Sequence, residues 1–200
     1  MSFSRLLLVA ANSQKFIRGE GNDKVCITPP KGREVYEGEV ILCFQLDDRT
    51  DRRKRVARSL GILDNNKRCD GLVFFSQDEK ADRVICLVEM KSTNVTNAEW
   101  QLTSTKEHIE KLLFEECSSL PEECQTDCQK QIAHIVWKAC LYHSCSSQNE
   151  TWALLRKLID KGFDHVDRLD RNHNDLRPLL IGKGIGAEEI GKKFKSGRKH

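Results

Sequence analysis

The sequence predicts an α/β protein with a mixed central β-sheet flanked by helices. The first observation is a set of apolar, β-branched and aromatic runs of strand length, at 39–46, 69–75, 82–91 and 131–143. The second is a pair of longer segments, 97–116 and 149–163, whose apolar residues recur at helical spacing. The third is their order, strands first, then helix, strand and helix, which is typical of a mixed sheet covered by helices.

The first half of the chain contains further short elements. The apolar stretch within 3–16 is compatible with a helix or a strand, and a short strand is expected at 24–28. Asp48 or Thr50 is a suitable N-cap for a basic helix that ends at Gly61.

The second half alternates helix and strand. Asn94, Thr96 or Asn97 is a suitable N-cap for the helix at 97–116, which presents one broad apolar face formed by Trp100, Leu102, Ile109, Leu112 and Leu113. A loop containing Pro121 is expected to lead into the strand at 131–143.

The length of 200 residues suits one domain, which we assign to residues 1–181, followed by a basic tail at 182–200 whose composition predicts flexibility. The formal net charge is only +3, which excludes a general polycation. Basic side chains nevertheless cluster in two runs that are candidates for phosphate contact, namely Arg52, Arg53, Lys54, Arg55 and Arg58, and Lys192, Lys193, Lys195, Arg198 and Lys199.

The sequence predicts a cytoplasmic protein that does not enter a membrane. No stretch approaches the roughly 20 apolar residues that cross a bilayer. The apolar part of the first ten residues is also shorter than the ~7–15 residues of a signal peptide. The odd count of nine cysteines favours reduced thiols.

One group of cysteines is a weak candidate for a structural metal site. It lacks the C-x-x-C pairs of most zinc sites, so scattered thiols are the simpler interpretation, and it comprises Cys117, Cys124, Cys128, Cys140, His143 and Cys145.

The runs 69–75 and 82–91 predict an antiparallel hairpin with a defined register. A turn centred between Glu79 and Lys80 places Asp70 opposite Glu89. The same register pairs apolar residues on that face, Leu72 with Leu87 and Phe74 with Ile85. A shift by one residue would scramble this face, so the apolar pairs support the register independently of the two acids.

Opposed carboxylates on apolar strands repel each other and are costly to desolvate. The compensation is a raised pKa, a nearby cation such as Lys91, or a divalent metal ion. Lys91 projects to the same side as Glu89 because strand side chains alternate faces. Two acids that hold Mg²⁺ or Mn²⁺ with an ammonium group beside them can hydrolyse a phosphodiester. The simpler alternative is an ion pair at the end of a strand.

Asp70, eighteen intervening residues and then Glu89-Met90-Lys91 resemble the D…(D/E)-x-K signature of the PD-(D/E)xK nuclease superfamily, which has the restriction-endonuclease-like fold. The likeness covers about 65–140, within the expected core at 65–143. Gln101, in the helix after the motif, resembles the glutamine of branches that carry Q-x-x-x-Y, although Thr105 replaces the tyrosine here. Cys69 stands where the family usually has proline.

The resemblance implies a Mg²⁺- or Mn²⁺-dependent nuclease that cleaves nucleic acid, DNA more often than RNA. Asp70 and Glu89 would bind the metal, and Lys91 and Gln101 would complete the catalytic site. An additional acid is expected from Glu20, Glu37 or Glu39. The resemblance leaves open whether the chain acts as a homodimer or in a larger protein assembly. The alternative is a catalytically inactive binding or scaffold protein with the same fold.

Overall fold

The computed structural model describes residues 15–19, 23–29, 38–47, 56–57, 60–62, 68–77, 83–91, 95, 97–143 and 148–186. The strands are β1 (Phe16–Arg18), β2 (Lys24–Cys26), β3 (Glu39–Gln45), β4 (Gly71–Gln77), β5 (Arg83–Lys91), β6 (Ile135–His143) and β7 (His165–Leu169). The helices are α1 (Ala98–Ser118), α2 (Glu122–Ala133), α3 (Gln148–Asp160) and a short π-helical turn (Leu179–Lys183).

Strands β3 to β7 form one mixed sheet in the order β3-β4-β5-β6-β7, and β1 and β2 form a separate antiparallel ribbon. β3, β4 and β5 pair antiparallel, whereas β5, β6 and β7 pair parallel. The parallel steps need crossover connections, which α1 with α2 and then α3 supply. The predicted fold class, α/β with a mixed central sheet and flanking helices, is confirmed.

The sheet separates two apolar cores. On one face, α1, α2 and α3 pack against side chains that include Leu72, Leu87 and Leu141. On the other face, the β1–β2 ribbon and the segment around the π-helical turn cover side chains that include Val73 and Val88. The central strand β5 is buried on both faces, which explains its nearly continuous apolar sequence.

Several sequence predictions differ from the structure at element boundaries. The strand predicted at 131–143 begins at Ile135, because 131–133 belong to α2. The loop predicted around Pro121 is instead followed at once by this helix. Glu122 and Glu123 in its first turn and Lys130 in its last turn complement the helix dipole, which favours helix at this position.

The residues after α3 are more ordered than their polar, glycine-rich sequence predicts. β7 is the edge strand of the sheet, and Ile185 exchanges two backbone hydrogen bonds with Val166 of that strand, at 2.9 and 3.0 Å. Residues 182–186, which the sequence assigned to the tail, thus include a residue that pairs with the sheet. Residues 187–200, including the basic cluster, lie outside the described part, as does the basic run at 52–55 and 58.

Two further observations concern surfaces. Trp100, predicted to lie on the buried apolar face of α1, is instead 48% exposed. Within the described residues, no helix has the length and apolarity that crossing a membrane requires.

Gly71 is where the β1–β2 ribbon packs most closely on the sheet. A Cβ at this position would lie 2.6 Å from two side-chain carbons of the buried Ile17, well inside van der Waals contact. We expect Gly71→Ala to lower the free energy of unfolding by about 1–3 kcal/mol through overpacking. Chemical denaturation measures the loss.

The matched control for this substitution is Gly186→Ala, because a Cβ there would meet His165 at an ordinary 3.6 Å. We expect that variant to stay within about 0.5 kcal/mol of the parent. Adding Ile17→Val to Gly71→Ala should restore part of the loss. A Gly71→Ala protein as stable as the parent would contradict the close packing of β1 on the sheet.

Candidate functional site

The predicted hairpin register brings the two acids together. β4 and β5 pair antiparallel with Leu72 opposite Leu87 and Phe74 opposite Ile85, as the sequence predicted. Extending this register by one residue beyond Gly71 places Asp70 opposite Glu89. Asp70 Oδ2 also accepts a hydrogen bond of 2.6 Å from the backbone N–H of Met90, which joins the end of one strand to the other.

Glu89 is a buried acid that is only partly satisfied. It is 1% exposed, and its Oε1 lies 2.6 Å from Lys91 Nζ. Its Oε2 is buried and has no hydrogen-bond partner among the residues that the structure describes. A buried carboxylate oxygen without a donor is unfavourable, so this atom marks a position where a cation would be stabilised.

Burial and charge together shift the ionisation of Glu89. Desolvation is the largest cause, followed by the negative charge of Asp70, and together they raise the pKa of Glu89 to about 8. The ion pair with Lys91 and a hydrogen bond from the backbone N–H of Asp70 lower this pKa, but they do not offset the other two. A strongly perturbed carboxyl group beside a charged partner is typical of functional sites.

Gln101 fixes the position of Lys91. Lys91 Nζ donates to Gln101 Oε1 at 2.7 Å, and Gln101 Nε2 donates to the backbone carbonyl of Arg68 at 3.0 Å. Because Gln101 lies in the first turn of α1, this chain of contacts connects the helix to the ends of β4 and β5. The structure therefore brings together all four residues singled out in the sequence, Asp70, Glu89, Lys91 and Gln101.

Sequence reasoning assigned no role to Thr105, which supports Gln101. The hydroxyl of Thr105 donates to the backbone carbonyl of Gln101 at 2.7 Å and accepts from the backbone N–H of Cys69 at 3.0 Å. Thr105 thus ties the helix to the residue that precedes Asp70. The available signal was its spacing, because a residue four positions after Gln101 lies on the same helix face.

The backbone of Asp70 is held by the end of β3. Its carbonyl accepts from the backbone N–H groups of Leu46 and Asp47, at 2.8 and 3.2 Å, and from Gln45 Nε2 at 3.1 Å. The buried side chain of Arg68 reinforces this junction, since it donates to the Leu46 carbonyl and forms an ion pair of 3.1 Å with Asp47. Sequence reasoning did not identify these contacts.

Of the three candidates for an additional acid, only Glu39 lies in the described residues. It pairs with Gln77 at the opposite end of β3 and β4 from Asp70, where it forms a buried ion pair with Arg177. It therefore lies about 20 Å along the strand from the other acids. Glu20 and Glu37 lie outside the described residues.

The cysteine group does not form a metal site in the described part of the chain. No three or more His, Cys, Asp or Glu side chains there lie close enough together to hold a metal ion. Cys117 and Cys128 belong to the helix-side core, whereas Cys140 belongs to the core on the other face of the sheet. Cys145 lies outside the described residues.

No protein-family model, curated protein or solved structure matches the chain.

Proposed function

We propose that the chain is a metal-dependent nuclease with a restriction-endonuclease-like core, which hydrolyses phosphodiester bonds of nucleic acid, DNA in preference to RNA. The observation that supports this proposal is the convergence of Asp70 and Glu89 at the ends of paired strands, with Lys91 held beside them by Gln101. A purely structural ion pair needs one acid and one base, whereas this site adds a second acid that disfavours ionisation of the first.

The residues present fit a small divalent cation. Two opposed carboxyl groups supply hard oxygen ligands, and Glu89 Oε2, which has no partner within the described part of the chain, is available to accept a cation. Mg²⁺ is commonly held by one or two carboxylates with water completing its coordination, so a pair of acids suffices. We assign Asp70 and Glu89 as the ligands of Mg²⁺ or Mn²⁺. When bound, such an ion supplies Lewis-acid stabilisation to a phosphoryl oxygen.

Lys91 has the role of stabilising charge on the phosphate. Its ammonium group is fixed on two sides, by Glu89 Oε1 at 2.6 Å and by Gln101 Oε1 at 2.7 Å, so it does not reorganise when substrate arrives. A preoriented cation in a partly buried site stabilises developing negative charge more effectively than one in water. Gln101 acts through Lys91 and is a positioning residue.

A non-catalytic nucleic-acid-binding protein with the same fold is the second candidate. The observation that favours it is the contact of 2.6 Å between Lys91 and Glu89, which compensates the buried acid in part without a metal ion. The two candidates differ in their requirement for a divalent cation, because only the nuclease needs one bound at Asp70.

The decisive experiment incubates the chain with labelled single- and double-stranded DNA and RNA in Mg²⁺ or Mn²⁺, against EDTA. We expect metal-dependent cleavage that Lys91→Ala lowers by about 10²–10³-fold, the usual effect of losing one preoriented charge-stabilising group. Lys111→Ala is the matched control, because this lysine is exposed on α1 and paired only loosely with Glu115, at 3.7 Å.

A thermal-shift measurement completes the test. Mn²⁺ should raise the Tm of the parent and of Lys111→Ala but not of Asp70→Asn, because ligand binding to the folded state stabilises it. Binding of nucleic acid without cleavage, and without an Asp70-dependent shift, would support the non-catalytic candidate. Cleavage by the Lys91→Ala protein at the parental rate would overturn the assignment of the site.

A further inference from the structure

Two buried thiols lie on the neighbouring helices α1 and α2. Cys117 is in the last turn of α1 and Cys128 is in the middle of α2, and they are 1% and 6% exposed. Burial and, after it, interaction with the Cys128 thiol raise the pKa of Cys117. Cys117 Sγ also donates to the backbone carbonyl of Gln125 at 3.4 Å. Since Gln125 lies about one turn before Cys128, this contact places the Cys117 sulfur beside the part of α2 that carries Cys128.

The helix that carries Cys128, α2, has few buried side chains. Of the twelve residues of α2, only Cys128 and Ile132 are buried. A helix with so few buried contacts opens locally at a low free-energy cost. Such opening admits a small oxidant to Cys128 without unfolding the sheet.

We propose that Cys117 and Cys128 form a thiol oxidation site that closes to a disulfide in the presence of a peroxide. The Cys128 thiolate attacks one peroxide oxygen, the O–O bond breaks, and the sulfur is oxidised to a sulfenic acid while the second oxygen leaves as water. The Cys117 thiolate then attacks the Cys128 sulfur, and the hydroxyl group leaves as a second water. Two thiols and one hydrogen peroxide thus give one disulfide and two waters.

The bridge would join α1 to α2 across the short connection at 119–121, and thiol reductants would reverse it. It is independent of the proposed nuclease activity. Cys117 lies sixteen residues after Gln101 on the same helix, about 24 Å away along its axis. The disulfide therefore fixes the outer end of the helix layer and does not contact the candidate site.

The experiment treats the folded, reduced full-length chain with hydrogen peroxide, alkylates the remaining thiols and maps the peptides by mass spectrometry. We expect a linked pair of peptides containing Cys117 and Cys128, with loss of two hydrogens, which dithiothreitol reverses. Hydrogen exchange in α2 should slow, and the Tm should rise by several degrees, because the bridge restricts the unfolded chain.

Cys117→Ser and Cys128→Ser should each abolish the linked peptides. Cys124→Ser is the matched control, because Cys124 is on the same helix but exposed, and this variant should form the bridge as the parent does. The linked peptides are mapped in the parent protein, so this measurement does not depend on whether a serine variant folds. Oxidation of Cys124 alone, a bridge that involves Cys124, or a Cys117–Cys128 bridge found only in denaturant would overturn the proposal.

Discussion

Replacing Glu89 with glutamine is expected to abolish cleavage and, at the same time, to stabilise the protein. Glutamine keeps the shape of the side chain but removes the charge that would bind the metal ion, so the cleavage rate should fall by at least about 10²-fold. In EDTA at pH 7.5, the Tm should rise by several degrees, because the variant no longer places a buried carboxyl group beside Asp70. Nuclease assays and thermal denaturation measure the two effects.

The stability difference should depend on pH in a defined direction. The pKa of Glu89 is about 8 in the folded protein, raised from 4.5, so between these values the folded state keeps a proton that the unfolded state has released. Stability therefore falls as the pH rises through this window and levels off above it. The Glu89→Gln protein lacks this titrating group. Its free energy of unfolding should therefore exceed that of the parent by an amount that increases from pH 5 to pH 8.

Glu115→Gln is the control for Glu89→Gln, since Glu115 is exposed on α1 and should change neither cleavage nor stability. An advantage of the Glu89→Gln protein that is the same at pH 5 and pH 8 would contradict a raised pKa at Glu89. Unchanged cleavage by this variant would remove Glu89 from the proposed site.

The second large effect is expected at the other buried acid of the sheet. Glu39 and Arg177 form a two-point ion pair in which both side chains are buried, with 2.8 Å between Glu39 Oε2 and Arg177 Nη1. Glu39 Oε1 also accepts from Gln77 Nε2 at 2.9 Å. Arg177→Ala leaves a buried carboxylate without its cation, so the free energy of unfolding should fall by about 3–5 kcal/mol, measured by chemical denaturation.

Lys130→Ala is the matched control for Arg177→Ala, because the ion pair of Lys130 with Asp127 is exposed and contributes at most about 1 kcal/mol. Replacing both partners, as in Glu39→Gln with Arg177→Met, should recover much of the loss. Glu39→Gln alone is expected to destabilise the protein, the opposite of Glu89→Gln, because Glu39 has a strong cation partner whereas Glu89 faces another acid. Equal stability of the parent and the Arg177→Ala protein would contradict the buried pair.

The sequence contained the information for the strand pairing of the site. Because residues of a hairpin pair at fixed spacing, the apolar pairs from Leu72 to Ile85 determine the register, and the register places Asp70 beside Glu89. The contacts of Gln101 and Thr105 were less accessible. Those with Arg68 and Cys69 join segments more than thirty residues apart, and they depend on how α1 lies on the sheet, which no local pattern specifies.

The sequence interpretation failed where local signals were short or mixed. The apolar residues at the end of α2 continue into those of β6, so hydrophobicity did not mark the boundary at His134. β7 has only five residues, and Val166 and Leu169 are the two that are buried, which is too short for a recognisable alternation. Trp100 fits the apolar spacing of α1 but is exposed. Single apolar side chains are common on protein surfaces, so spacing alone did not distinguish this residue from the buried ones.

The antiparallel meander of β3, β4 and β5 has a consequence for the order of folding. Asp70, Glu89 and Lys91 lie at the paired ends of β4 and β5, and a short connection at 78–82 joins these two strands. β6 and β7 instead require long crossovers and are synthesised later. Since nearby contacts form faster than distant ones, both acids and the lysine are expected to meet early, before the parallel half of the sheet is complete.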